Sequence, residues 1–83
     1  MYYRFELEDF KAKKGKLARE EKRDIMLYID EARLEADNEK KAVRAFANMI
    51  NGRLSRDSEG DSAVITLPDY ANSQLYIRAV KAE

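Results

Sequence analysis

Between Ile25 and Arg53 the chain sets its densest apolar run directly before its best-punctuated helix, and any fold must accommodate both. The helix is the simpler half. Asp37 or Asn38 can cap it, because either side-chain oxygen accepts from the free N–H groups of a first turn. Glu39 suits the positive end of the helix dipole. Ala42, Val43, Phe46, Ala47 and Ile50 recur at helical spacing as a buried stripe, with Lys40, Lys41, Arg44 and Asn48 outside it. Asn51-Gly52 closes the segment, with Gly52 expected in the left-handed conformation and Leu54 folding back on the last turn. The spacing predicts a helix over residues 38–51.

The preceding run, Ile25-Met-Leu-Tyr-Ile29, supports two conformations. Plotted as a helix, Leu17, Ala18, Ile25, Tyr28, Ile29, Ala32 and Ala36 share a face roughly 120° wide, which continues through Val43, Phe46 and Ile50. Plotted as a strand, Met26, Tyr28, Ala32, Leu34 and Ala36 line one side, and two β-branched residues with an aromatic favour the pleat. A helix leaves Met26, Leu27 and Leu34 off its apolar face. On that ground residues 25–36 are expected as a strand that delivers the chain to the capped helix.

The flanks read more simply. Tyr3, Phe5 and Leu7 alternate with Tyr2, Arg4 and Glu6, the period of a half-buried strand that Phe10 and Ala12 can extend. Lys11 to Lys16, with Gly15, is a loop, and so is Ser55 to Ser62. Ala63 to Leu67 is a strand closed by Pro68, which cannot donate to a ladder. After a turn over Asp69 to Ser73, Gln74 to Val80 forms a last strand with Leu75, Ile77 and Ala79 inward and Tyr76, Arg78 and Val80 outward. The expected architecture is α+β in a single small domain, 1–83: a small antiparallel sheet with one helix packed on a face, β-β-α-β-β. The alternative is β-α-α-β-β with a long helix 17–36. Either sheet has an open face, where a partner is expected.

The core must be thin. Val, Ile, Leu and Phe supply 18 of 83 residues, just above the level at which chains of this kind fail to fold. Self-association into a homodimer, or docking on a protein partner, would relieve that shortage. Chemistry is narrowed by what the chain lacks. It has neither histidine nor cysteine, so zinc loses its usual ligands and Ser-His or Cys-His triads cannot be assembled. Gly15, Gly52 and Gly60 are too scattered for a phosphate loop. Asp57-Ser-Glu-Gly-Asp61 fails as a calcium loop, with Ser62 where glycine is needed and Pro68 where the bidentate glutamate belongs. Asp30, a lone acid in an apolar run, reads as a paired or edge carboxylate. No metal or cofactor is expected, and no enzymatic activity. The opening residues lack the apolar core of a secretory signal, and no apolar run nears the roughly 20 residues of a membrane span. A cytoplasmic protein without membrane contact is expected.

Formal net charge is zero, but the charge is segregated. Lys11 to Arg23 carries seven bases against Glu20 and Glu21, and Asp24 to Glu39 carries six acids against Arg33. The basic block, with Lys11, Lys13, Lys14, Lys16 and Arg19 near Tyr2, Tyr3 and Phe5, is a candidate nucleic-acid patch, since lysines hold phosphates and aromatics stack bases. In the acidic block a strand would set Glu31 and Glu35 on one side about 13 Å apart, a spacing that imitates a phosphate backbone, with Arg33 interrupting it. Asp30, Glu31 and Glu35 are therefore the candidate partner-binding residues.

In general build (tiny, acid-rich, α+β, without a catalytic motif) the chain resembles the inhibitor proteins that phages use against bacterial restriction or CRISPR complexes. The resemblance is one of type, carried by no particular stretch. It implies a non-enzymatic module that binds a protein, with Asp30, Glu31 and Glu35 toward the partner. A small nucleic-acid-binding accessory protein using segment 11–23 is the alternative.

Overall fold

The chain's first and last strands pair at the centre of the sheet, so the fold closes only when both ends of the sequence are in place. In the computed structural model, which describes residues 1–12, 17–55 and 62–82, the order of elements is β1 (Tyr2–Lys11), α1 (Arg19–Glu31), β2 (Leu34–Glu35), α2 (Glu39–Met49), β3 (Arg53–Leu54), β4 (Ser62–Leu67), a 3-10 turn (Pro68–Tyr70) and β5 (Ser73–Lys81). The five strands form one sheet in the order β2-β1-β5-β4-β3, with every neighbouring pair antiparallel. The expected α+β class and antiparallel sheet are present, with two α-helices on the sheet rather than one.

Register sorts the side chains. Tyr3, Phe5 and Leu7 of β1 stand opposite Lys81, Ala79 and Ile77 of β5. Residues directly opposite share a face, so these positions define the side that the helices cover. Ile65 and Leu67 of β4 join it opposite Leu75 and Ser73. A register shift between Leu7 and Asp9 inserts Glu8 as an extra residue and bends the strand. Beyond it Phe10 returns to the covered side opposite Leu75, while Asp9 and Lys11 stand with Tyr76 and Gln74 on the open side.

The expected strand over 25–36 is overturned for most of its length. Residues 19–31 are helical, and only Leu34–Glu35 is strand, pairing with Tyr2 and Tyr3. Tertiary packing decides this contest, because a short β-prone run fits whichever surface it must cover. Ile25, Ile29 and Ala32, spaced four and three apart, are buried together against the sheet. The strong helix formers Arg-Glu-Glu-Lys-Arg at 19–23 carry the first turns, with Glu20 and Glu21 at the positive end of the dipole. The helix closes where the Ala32 N–H reaches the Tyr28 carbonyl at 3.1 Å. The chain then extends, placing Leu34 beside Tyr3 on the covered side and Glu35 beside Tyr2 on the other. Apart from the two-residue strands β2 and β3, the element order is that of the alternative, β-α-α-β-β, with its first helix shortened from 17–36 to Arg19–Glu31; no helix continues through Ile50.

α2 matches its expectation closely. The Asn38 side chain accepts from the Lys41 N–H at 2.9 Å, and Ala42, Val43, Phe46 and Ala47 are buried. Its exit corrects the role given to Gly52. Asn51 holds the left-handed conformation, at φ 58°, and its N–H bonds the Asn48 carbonyl while that of Gly52 bonds Ala47 at 2.7 Å. That is the paired Schellman closure. Gly52 is needed for space instead: a Cβ there would lie 2.5 Å from the Ile65 Cγ2 and 3.1 Å from the Leu67 Cδ2.

Both helices feed one core cluster, in which the Phe46 ring stacks on Phe5 with centroids 4.6 Å apart. They run in opposite directions. α1 starts near the far end of β1, where the Lys22 ammonium lies 5.6 Å from the Phe10 ring, and α2 ends there, with Asn51 donating to Asp69. Among the described residues no helix is long and apolar enough to cross a membrane.

Candidate protein-docking face

The core stripe of α1 leaves the rest of that helix facing solvent, and one flank of it is not polar. Leu27 and Tyr28 are each about half exposed, at 47% and 48%. With Asp24 and Glu31 they line a shallow depression of about 220 Å³. At 100° per residue, positions 24, 27, 28 and 31 make a contiguous flank beside the buried line of Ile25 and Ile29. Half-buried Tyr70 lies nearby, its ionisation pushed up by burial and, in smaller measure, by Tyr28, Asp24 and Asp69. The result is an apolar floor rimmed by carboxylates.

Helix electrostatics sharpen the picture. From Asp24 to the end of α1 the charged residues are Asp24, Asp30 and Glu31, all exposed, and the last turn has no base. Acids at a helix C-terminus oppose the dipole, at about 0.3–1 kcal/mol each near an exposed terminus. α2 shows the converse, with exposed Lys40 and Lys41 in its first turn and Arg44 one turn on. Lys41 is offset by Asp37 at 3.1 Å. Among the described residues no ion pair is recorded for Asp30, Glu31, Lys40 or Arg44.

The candidate acids are therefore separated. Asp30 and Glu31 are successive residues on α1, with Glu31 on the depression and Asp30 around the helix from it. Glu35 stands across the sheet, opposite Tyr2 on the open face. The strand geometry expected for Glu31 and Glu35 does not exist. Of the basic candidates, Lys11 ends β1 with its ammonium 5.1 Å from the Tyr76 ring centroid, and Arg19 begins α1. Lys13, Lys14 and Lys16 lie outside the described residues, as does Asp57 to Asp61.

The open sheet face, where a partner was expected, stays exposed, with Tyr2 at 55%, and carries its own ion pairs. Glu6 accepts from Arg4 at 2.8 Å and lies 3.8 Å from Arg78. The Arg4 hydrogen bond and charge, then Arg78, hold the Glu6 carboxyl below its ordinary value.

Leu27 and Tyr28 were not among the sequence candidates. The signal for Leu27 was present: a large apolar residue off the helical stripe, which counted there against a helix. In the fold it is the feature that a helix surface has to explain. Comparison with protein-family models, curated proteins and solved structures finds no match to this chain.

Proposed function

We propose that the protein is a non-enzymatic protein-binding module that docks through the outer flank of α1. The observation that carries this is the half-exposed Leu27–Tyr28 pair over a depression rimmed by Asp24 and Glu31. Binding energy at protein interfaces concentrates in a few central apolar and aromatic side chains, while surrounding charge sets the approach and the choice of partner. The fitting partner presents an apolar side chain framed by lysine or arginine. Surfaces of that kind line proteins that handle nucleic acid, whose affinity comes from cations set against phosphates. The finer reading is therefore an inhibitor of phage type, blocking a bacterial restriction or CRISPR complex by occupying such a surface. The nucleic-acid alternative rests on segment 11–23, in which Lys13, Lys14 and Lys16 lie outside the described residues and Glu20 and Glu21 interrupt the basic run.

Affinity capture from the native host with the tagged protein tests this. Leu27→Ser and Glu31→Lys should each release the captured protein, and Glu35→Lys, on the other side of the sheet, should retain it. Capture that ignores Leu27 and Glu31 rejects α1 as the docking surface. Retention of bare DNA or RNA, weakening steeply with salt, would instead favour the nucleic-acid reading.

A further inference from the structure

We infer that the occupant of the α1 flank in the isolated protein is a second copy of the chain, stacked helix layer on helix layer about a two-fold axis running along the helices. The inference rests on the docking role proposed for α1 and names what covers that flank when no host partner is bound. α1 and α2 lie on the same side of the sheet and run in opposite directions. Rotation about an in-plane axis between them lays α1 of one copy across α2 of the other, and the reverse contact follows by symmetry.

That arrangement matches opposite charge. The C-terminal half of α1 offers Asp24, Asp30 and Glu31, and the outer face of α2 offers Lys40, Lys41 and Arg44. Because the facing helices are antiparallel, the acidic C-terminal end of α1 meets the N-terminal end of its counterpart, where Lys40, Lys41 and Arg44 outnumber Asp37 and Glu39. Charges that oppose their own helix dipole then sit against a dipole end and a set of side chains that favour them. Arg19 and Arg23, at the other end of α1, meet the negative C-terminal end of α2. Leu27, Tyr28 and Met49, three of the five large apolar residues left exposed, all lie on these two helices. Stacking α1 on a parallel α1 would set acid against acid; an antiparallel α1 pair would set Asp30 and Glu31 against Arg19 and Arg23 but leave Lys40 and Lys41 without acids, so a dimer that ignores Lys40→Glu/Lys41→Glu also overturns the inference.

The edge of β1 offers no comparable route. It is pleated past the end of β2, but the irregularity at Glu8 breaks its register and Asp9 Oδ1 accepts the Phe10 N–H at 2.8 Å. Such features guard an edge against strand addition.

Sedimentation velocity on the full chain, from micromolar to near-millimolar concentration, tests the proposal. The native protein should dimerise. Asp30→Lys/Glu31→Lys and Lys40→Glu/Lys41→Glu should each weaken self-association by at least about tenfold. An equimolar mixture of those two variants should form a heterodimer, because each supplies the charge the other lost. Circular dichroism confirms that each variant is folded, and Leu27→Ser, which alters no charge, should also dissociate the dimer. A native protein that stays monomeric, a dimer indifferent to both reversals, or a mixture that stays monomeric overturns the inference. Monomeric behaviour combined with host capture that still depends on Leu27 and Glu31 would reject the second copy alone and leave the docking role of α1 standing.

Discussion

At the scale of single residues, the fold depends on positions where two elements nearly collide. Gly52 is the sharpest, since any side chain there drives into Ile65 and Leu67 where β3 turns under α2. Overpacking of this kind costs about 1–3 kcal/mol. Gly52→Ala should therefore lower the melting temperature by several degrees, and an unchanged value in a thermal melt would mean the close approach is relaxed in solution. Glu6 provides a pH signature. Its folded-state ionisation is depressed by Arg4 and Arg78, so the stability it contributes is present above the ordinary glutamate range and lost as pH falls through the lower folded value. The pair with Arg4 is solvent-exposed, so the effect is small. Thermal melts of native protein and Glu6→Gln should show a modest gap at neutral pH that closes under acid. A gap that widens under acid would contradict the ion-pair geometry.

At the scale of elements, α1 was the hardest to read and carries the proposed docking surface. α2 was legible because its signals agree: an Asn38 cap, a regular apolar stripe and an Asn-Gly exit, with only the roles of Asn51 and Gly52 exchanged. β1, β4 and β5 followed from period-two alternation. α1 was not legible, since Ile25 to Ile29 fits a strand locally and a helix only once Ala32 and the sheet beneath are known. Its start is also weakly marked. Ala18 occupies the cap position with no side-chain acceptor, and only the return contact is made, from the Ala18 N–H to the Glu21 carboxylate at 3.3 Å. Ala18→Ser completes the reciprocal pair and should stabilise the protein by about 0.5–2 kcal/mol. Denaturant midpoints for the two proteins measure this; no gain would place the true start of α1 elsewhere. The candidate site divided for the same reason. Asp30 and Glu31 were candidates on charge alone, whereas Leu27 and Tyr28 became visible as surface only when the buried side of α1 was fixed.

At the scale of the whole molecule, two helices cover one side of the sheet, and of the large apolar side chains exposed among the described residues Leu27, Tyr28 and Met49 lie on those helices, with Met1 and Tyr2 at the start of β1. A chain with so few large apolar residues has reason to cover that surface with protein. The most direct measurement is an amide NMR dilution series of the native chain at low salt. Concentration-dependent shifts are predicted at Asp24, Leu27, Tyr28, Asp30 and Glu31, together with Lys40, Arg44 and Met49. Shifts confined to Arg4, Glu6, Tyr76 and Arg78 on the open sheet face, or a spectrum indifferent to concentration, would contradict the account.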